Sequence, residues 1–260
     1  MVRLQGPISA DSRPGRINIA GVAPLLDRAF SMKRAPAVAI VVNSPGGSAV
    51  QSRLIAKRIR DLAVEKEKPV LVFVEDVAAS GGYFIATAGD EIIADPSSIV
   101  GSIGVIFAGF GFDDAIARIG VSRRIYTAGR NKATLDPFLP EKKEDVERIK
   151  AMELDVHGVF IDYVKARRGE KLKGADDDLF TGEFWSAVRG IEMGLVDALG
   201  DMHATLKERF GDDVRIKPVA PKKPLFALPR FGLGTGGGRD LAGDVVAAIE
   251  DRTLWSRFGL

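Results

Sequence analysis

Two uninterrupted apolar runs, A-V-A-I-V-V at 37–42 and P-V-L-V-F-V at 69–74, constrain this chain more than any other feature. A strand with one face in water alternates polar and apolar residues. A run without polar positions belongs to a strand covered on both faces, as in a parallel sheet between helical layers. Between the runs, residues 49–64 carry helical periodicity, with Leu54, Ile55, Ile59 and Leu62 expected inward and Arg53, Lys57, Arg58 and Arg60 outward. Strand, helix and strand in that order make a right-handed parallel crossover. The alternation extends both ways: a strand at 1–8 ended by Gly6-Pro7, a helix at 18–32, a short buried helix at 80–88 and strands at 91–94 and 105–108. Further on come a helix at 113–119, a strand at 122–127, a long helix at 140–168, a short helix opening at 181–183 and a helix at 202–210. The expected class is α/β.

Composition removes several function classes. The 37 basic and 35 acidic residues nearly cancel, so there is no basic excess of the kind a nucleic-acid partner demands. With no cysteine and only His157 and His203, thiolate sites are excluded and a histidine-rich metal centre is not expected. The uncharged stretch between Asp95 and Asp113 approaches the roughly 17–25 residues of a membrane span, but Pro96, the serines and four glycines break it into turn, strand and turn. Neither a signal peptide nor a spanning helix is visible. A cytoplasmic or peripherally membrane-associated protein is expected. Residues 217–239 are rich in proline, then glycine, and read as a linker, followed by an amphipathic helix at 240–260 that docks on its own domain or on a neighbouring subunit. Residues 1–216 then form the main domain.

Two glycine-rich turns follow the apolar runs. In N-S-P-G-G-S (43–48), backbone N–H groups of the glycines can point at an anionic oxygen; the residues alone favour the plainer reading, a tight turn with Ser48 capping the next helix. In A-A-S-G-G-Y (78–83), a serine on a sharp strand-to-helix turn is either a presented nucleophile among small neighbours or an ordinary helix cap. If the two strands are neighbours, both turns meet at one sheet edge. A nucleophilic serine needs a base. His157 falls inside the long helix and His203 near a late helix start, where structural or surface roles fit both. A lysine with a depressed pKa is the other solution, and composition does not choose among the lysines.

V-N-S-P-G-G-S, A-A-S-G-G-Y, P-S-S-I-V-G-S-I-G-V and Y-T-A-G-R-N-K, in that order across residues 2–210, resemble the signal peptide peptidase A family of serine proteases. The resemblance implies a crotonase-like fold of the Clp protease type, a repeated ββα superhelix with a mainly parallel sheet. It implies a Ser–Lys dyad with Ser80 as nucleophile, Lys132 as base and Ser102 orienting the lysine. It further implies an oxyanion hole from the Gly46 and Gly81 N–H groups and no metal or organic cofactor. The expected reaction is peptide hydrolysis through an acyl-enzyme, with unfolded or apolar peptides such as signal-peptide remnants as substrates. Gly104, Val105 and Ile106 offer an edge for an extended peptide. The resemblance also implies a ring-like homo-oligomer, here in a single-copy form without an anchor. A crotonase-type acyl-CoA hydratase or thioesterase, which needs carboxylates in the site, and a non-catalytic scaffold are the rival readings.

Overall fold

The computed structural model describes residues 1–11, 13–221, 249 and 252–260. Five strands form the backbone of the sheet: β1 (Val2–Gln5), β2 (Val38–Ser44), β3 (Val70–Ala79), β4 (Glu91–Ala94) and β7 (Ala198–Leu199), all parallel and in the order β1-β2-β3-β4-β7. β2 is buried along its whole length, as its unbroken apolar run requires. Helix α1 (Ile19–Phe30) opens on Asn18, whose side chain accepts from Gly21 N–H at 2.8 Å. Helix α2 (Ala49–Glu65) connects β2 to β3, and α3 (Gly81–Ala86) connects β3 to β4, so the expected crossover is present and repeated.

β3 is longer than its apolar run because it changes partner. Leu71–Val74 pair with β4, whereas Val77–Ala79 pair with β5 (Ile99–Gly101), which in turn pairs antiparallel with β6 (Phe184–Ser186). The break falls at Glu75 and Asp76, where the register against β2 jumps from Val42↔Val74 to Ser44↔Ala78. Asn43 fills the gap: its Nδ2 donates to Asp76 Oδ2 at 2.5 Å and its Oδ1 accepts from Val77 N–H at 3.3 Å. Such a bulge bends a strand and re-aims the residues beyond it.

The remaining elements are α4 (Asp113–Arg118), α5 (Lys143–Arg168), α6 (Asp176–Leu179), α7 (Ala187–Glu192) and α8 (Met202–Phe210). Several expectations are corrected. The strand in the 95–113 stretch lies at Ile99–Gly101, not at 105–108, because only the former finds a ladder partner in β3. Residues 122–127 are likewise no strand; they sit exposed on the arm between β5 and α5 without a pairing edge. The segment at 181–183 is a turn leading into β6, with helices to either side of it. Leu54 points outward, since the buried stripe of α2 runs through Ser52, Ile55, Ala56, Ile59, Leu62 and Ala63. Residues 217–221 still pack on the main body: Val219 is buried and its N–H donates to Met1 O at 2.9 Å. The rest of the expected linker, and most of the expected C-terminal helix, lie outside the described residues; 252–256 are helical. No helix among the described residues is long and apolar enough to cross a membrane.

A buried ion pair ties α5 to the far end of the sheet. Arg168 donates to Gly194 O at 2.9 and 2.8 Å and to Asp197 at 2.7 and 3.1 Å, while Asp197 also accepts from Ile92 N–H at 2.8 Å. Burial pushes the Asp197 carboxyl up, but hydrogen bonds from Arg168 and Lys171 outweigh it and hold its pKa below the ordinary value. A depressed folded pKa means stability that is present above the unfolded value, about 3.9, and lost as pH falls through the folded one. Asp197→Asn leaves Arg168 buried without its counter-charge. Urea unfolding at pH 7 should show a loss of about 3–5 kcal/mol, with the gap to wild type narrowing below pH about 4.

Candidate active site

The bulge in β3 delivers the chain to Ser80 in a conformation that is uncommon for a side-chain-bearing residue, φ 50° and ψ −120°. A non-glycine residue there costs of order 1–3 kcal/mol and persists only where its surroundings dictate it. Here Ser80 N–H donates to Gly101 O at 2.8 Å, at the end of β5, and Ser80 O accepts from Phe84 N–H at 2.9 Å in α3. Ser80 occupies the N-cap position of α3, yet its hydroxyl makes no capping bond. Ser48, in the matching position of α2, does cap, accepting from Gln51 N–H at 3.4 Å. Of the two serines with a cap reading, one spends its hydroxyl on the helix and the other keeps it free.

The two glycine turns interlock. A Cβ on Gly46 would come within 2.8 Å of both Ala79 O and Ser80 Cβ, and one on Gly81 within 2.3 Å of Ser52 Oγ. Gly46 therefore has no room for a side chain toward the serine turn, and Gly81 has none toward α2. Gly46 N–H points to Ser44 Oγ at 3.2 Å. The N–H groups of Gly47 and Gly81 have no acceptor among the described residues, and both glycines line the cleft beside Ser80. The sequence does not point to Gly47: the motif shows two adjacent glycines, and only packing decides which of them lines the cleft.

Ser102 follows β5 as Ser80 follows β3, one step past the Ala79↔Gly101 register pair, and it too has positive φ (53°). Its N–H donates to Glu183 O at 2.6 Å and the residue is buried. Ser80, Gly81, Ser102, Gly104, Val105 and Ile106 all line one cleft of ≈ 910 Å³, whose walls also carry Phe84 and Phe160. Among the described residues that line it there is no carboxylate; the charged ones are Arg53 and Arg257.

Lys132 stands elsewhere. It lies on an exposed turn, its N–H donating to Gly129 O at 3.2 Å, and it does not line the cleft. His157, by contrast, faces the cleft from α5, with Nε2 3.0 Å from Ile103 O. A ring nitrogen facing a carbonyl carries a proton, so in the neutral form of the ring Nδ1 is the acceptor. His203 is exposed in the first turn of α8.

The profile of peptidase family S49 matches residues 63–212. Three relatives illustrate the range. A Brucella abortus protein named Na(+)/H(+) antiporter NhaA is 53% identical over the whole of this chain and 36% of its own length. Protease 4 of Haemophilus influenzae is 33% identical over 80% of this chain and 34% of its own. The chloroplastic serine protease SPPA of Arabidopsis thaliana is 29% identical over 90% of this chain and 35% of its own. The chain thus spans about a third of the length of each of these relatives. Because the profile takes in Ser80, the strands on either side of it and more than half of the chain, this chain belongs to peptidase family S49.

Proposed function

We propose that the chain is a serine endopeptidase in which Ser80 attacks the peptide carbonyl and Lys132 takes its proton. The observation that carries the nucleophile is the strained Ser80 turn, whose hydroxyl is left uncapped beside unengaged amides. In this reading, Gly81 N–H and the Gly46–Gly47 turn, with Gly47 the residue that reaches the cleft, hold the tetrahedral oxyanion. Losing one such donor typically costs about 100- to 1000-fold in rate. As the C–N bond breaks, the base gives its proton to the leaving amine nitrogen, and water then hydrolyses the ester at Ser80 Oγ. Gly104, Val105 and Ile106 bind extended, apolar peptides such as signal-peptide remnants, in keeping with the mostly apolar walls. The acyl-CoA reading is not favoured, since it needs a carboxylate and the described lining offers none.

The base is where a single chain falls short. Lys132 rides on an arm that exposes Phe110 (81%) and Tyr126 (93%), along with Ile106, Phe107 and Ile119. Exposed apolar surface of this extent suits a contact between proteins. In the proposed assembly, a homo-oligomer, Lys132 of one copy serves Ser80 of the next and Ser102 orients it. A second reading rests on His157, which already faces the cleft; in that reading Nδ1 takes the serine proton.

A fluorophosphonate probe should label the intact protein, and Ser80→Ala should abolish the label; persistent labelling of that variant would move the nucleophile elsewhere. Lys132→Met should fold and lose peptidase activity. Mixing it with Ser80→Ala, after dissociation and reassembly, should restore activity at about a quarter of the sites, those that join an intact serine to an intact lysine. Full turnover by Lys132→Met together with its loss in His157→Ala would give the role to His157.

A further inference from the structure

The last residues of the chain fold back onto the cleft. Phe258 is 9% exposed and packs on Val77 and Ala79, the β3 residues that lead directly into Ser80, with Ile99 and Trp255 packed against them. Its ring meets Phe184 of β6 edge-on, centroids 5.0 Å apart. The turn holding it is closed by Phe258 N–H to Trp255 O at 2.9 Å and Gly259 N–H to Ser256 O at 3.1 Å. From the same short segment, Leu254 and Arg257 stand in the wall of the cleft that contains Ser80. One segment therefore fills an apolar notch beside the nucleophile and occupies part of the space a substrate would need.

We infer that residues 252–260 are an autoinhibitory cap, competing in cis with peptide substrates for the cleft. The inference rests on the proposed peptidase reading for what is inhibited, and on packing alone for the cap itself. The contacts suit a reversible device. One buried ring and one partly buried ring hold the segment; no described ion pair fastens Arg257; and the described body of the sheet has its own core without it. An incoming peptide with an aromatic side chain offers the notch the same contact that Phe258 makes, so substrate and cap exclude each other. While the cap is seated, only the open fraction of molecules binds, and apparent affinity falls by that fraction.

The test uses the whole 260-residue chain carrying Ser80→Ala, so that nothing turns over, with and without Phe258→Ala. The probe is a fluorescein-labelled synthetic peptide with the sequence of residues 252–260, followed by anisotropy. Phe258→Ala should bind it about tenfold more tightly than its parent, and Phe258→Tyr should behave as the parent does. Equal affinities, or no binding by the Phe258→Ala form, would overturn the cap. In the forms that retain Ser80, Phe258→Ala should lower KM for an aromatic-containing peptide with kcat unchanged. An affinity difference without hydrolysis in either form would reject the serine nucleophile and leave the cap standing.

Discussion

The change of partner along β3 is the constraint on which the rest of this structure hangs. A strand paired with β4 over its first half and with β5 over its second must bend between them, and the bend falls where Asn43 replaces lost ladder bonds with its own amide. Without that bend, β3 would run on into α3 along one line. With it, the end of β3 lies beside the end of β5, and Gly101 O becomes the acceptor that holds Ser80 N–H in a left-handed turn. The two strained serines, 80 and 102, are the matched ends of one parallel pair. Strain at both positions is tolerable because hydrogen bonds dictate each: Gly101 O holds Ser80 N–H, and Glu183 O beside β6 holds Ser102 N–H.

The site that results is asymmetric in what it supplies. It presents a hydroxyl, amides without acceptors, apolar walls and two cations at its rim, all arranged by the fold before any substrate arrives. Such preorganised donors stabilise developing negative charge without reorganising during the reaction. What a single copy does not bring to the cleft is the lysine that the family resemblance names. The start of the exposed arm, through Val105 and Ile106, and the seated C-terminal segment, through Leu254 and Arg257, both line that same cleft. In the proposed scheme one completes the site from a neighbouring copy and the other closes it from within.

Much of this was legible in the order of residues. The apolar runs at 37–42 and 69–74 became β2 and the first half of β3, and α8 occupies Met202–Phe210, where a helix is expected. The glycine-rich turns stand where both strands end, since small residues were needed for two backbones to approach within side-chain distance. Illegible were the features set by partners far along the chain. Residues 105–108 are as strand-like in composition as 99–101, but only the latter lie against β3. Residues 69–74 announce a strand, and nothing local says that it continues through Glu75 and Asp76, two charged positions that a bulge accommodates. His157 looks like part of an amphipathic helix and becomes a cleft residue only because α5 packs beside α3.

By itself, then, the sequence determined which segments could be strands, which turns could hold no side chains and which hydroxyl would stand at a strand end, because each depends on neighbours within a few residues. Tertiary structure alone decided that Gly47 rather than Gly46 lines the cleft, that Ser48 caps a helix while Ser80 does not, and that Phe258 returns to cover the strand leading into Ser80. Those outcomes depend on pairing and packing between residues tens to hundreds of positions apart, whose approach no local pattern encodes.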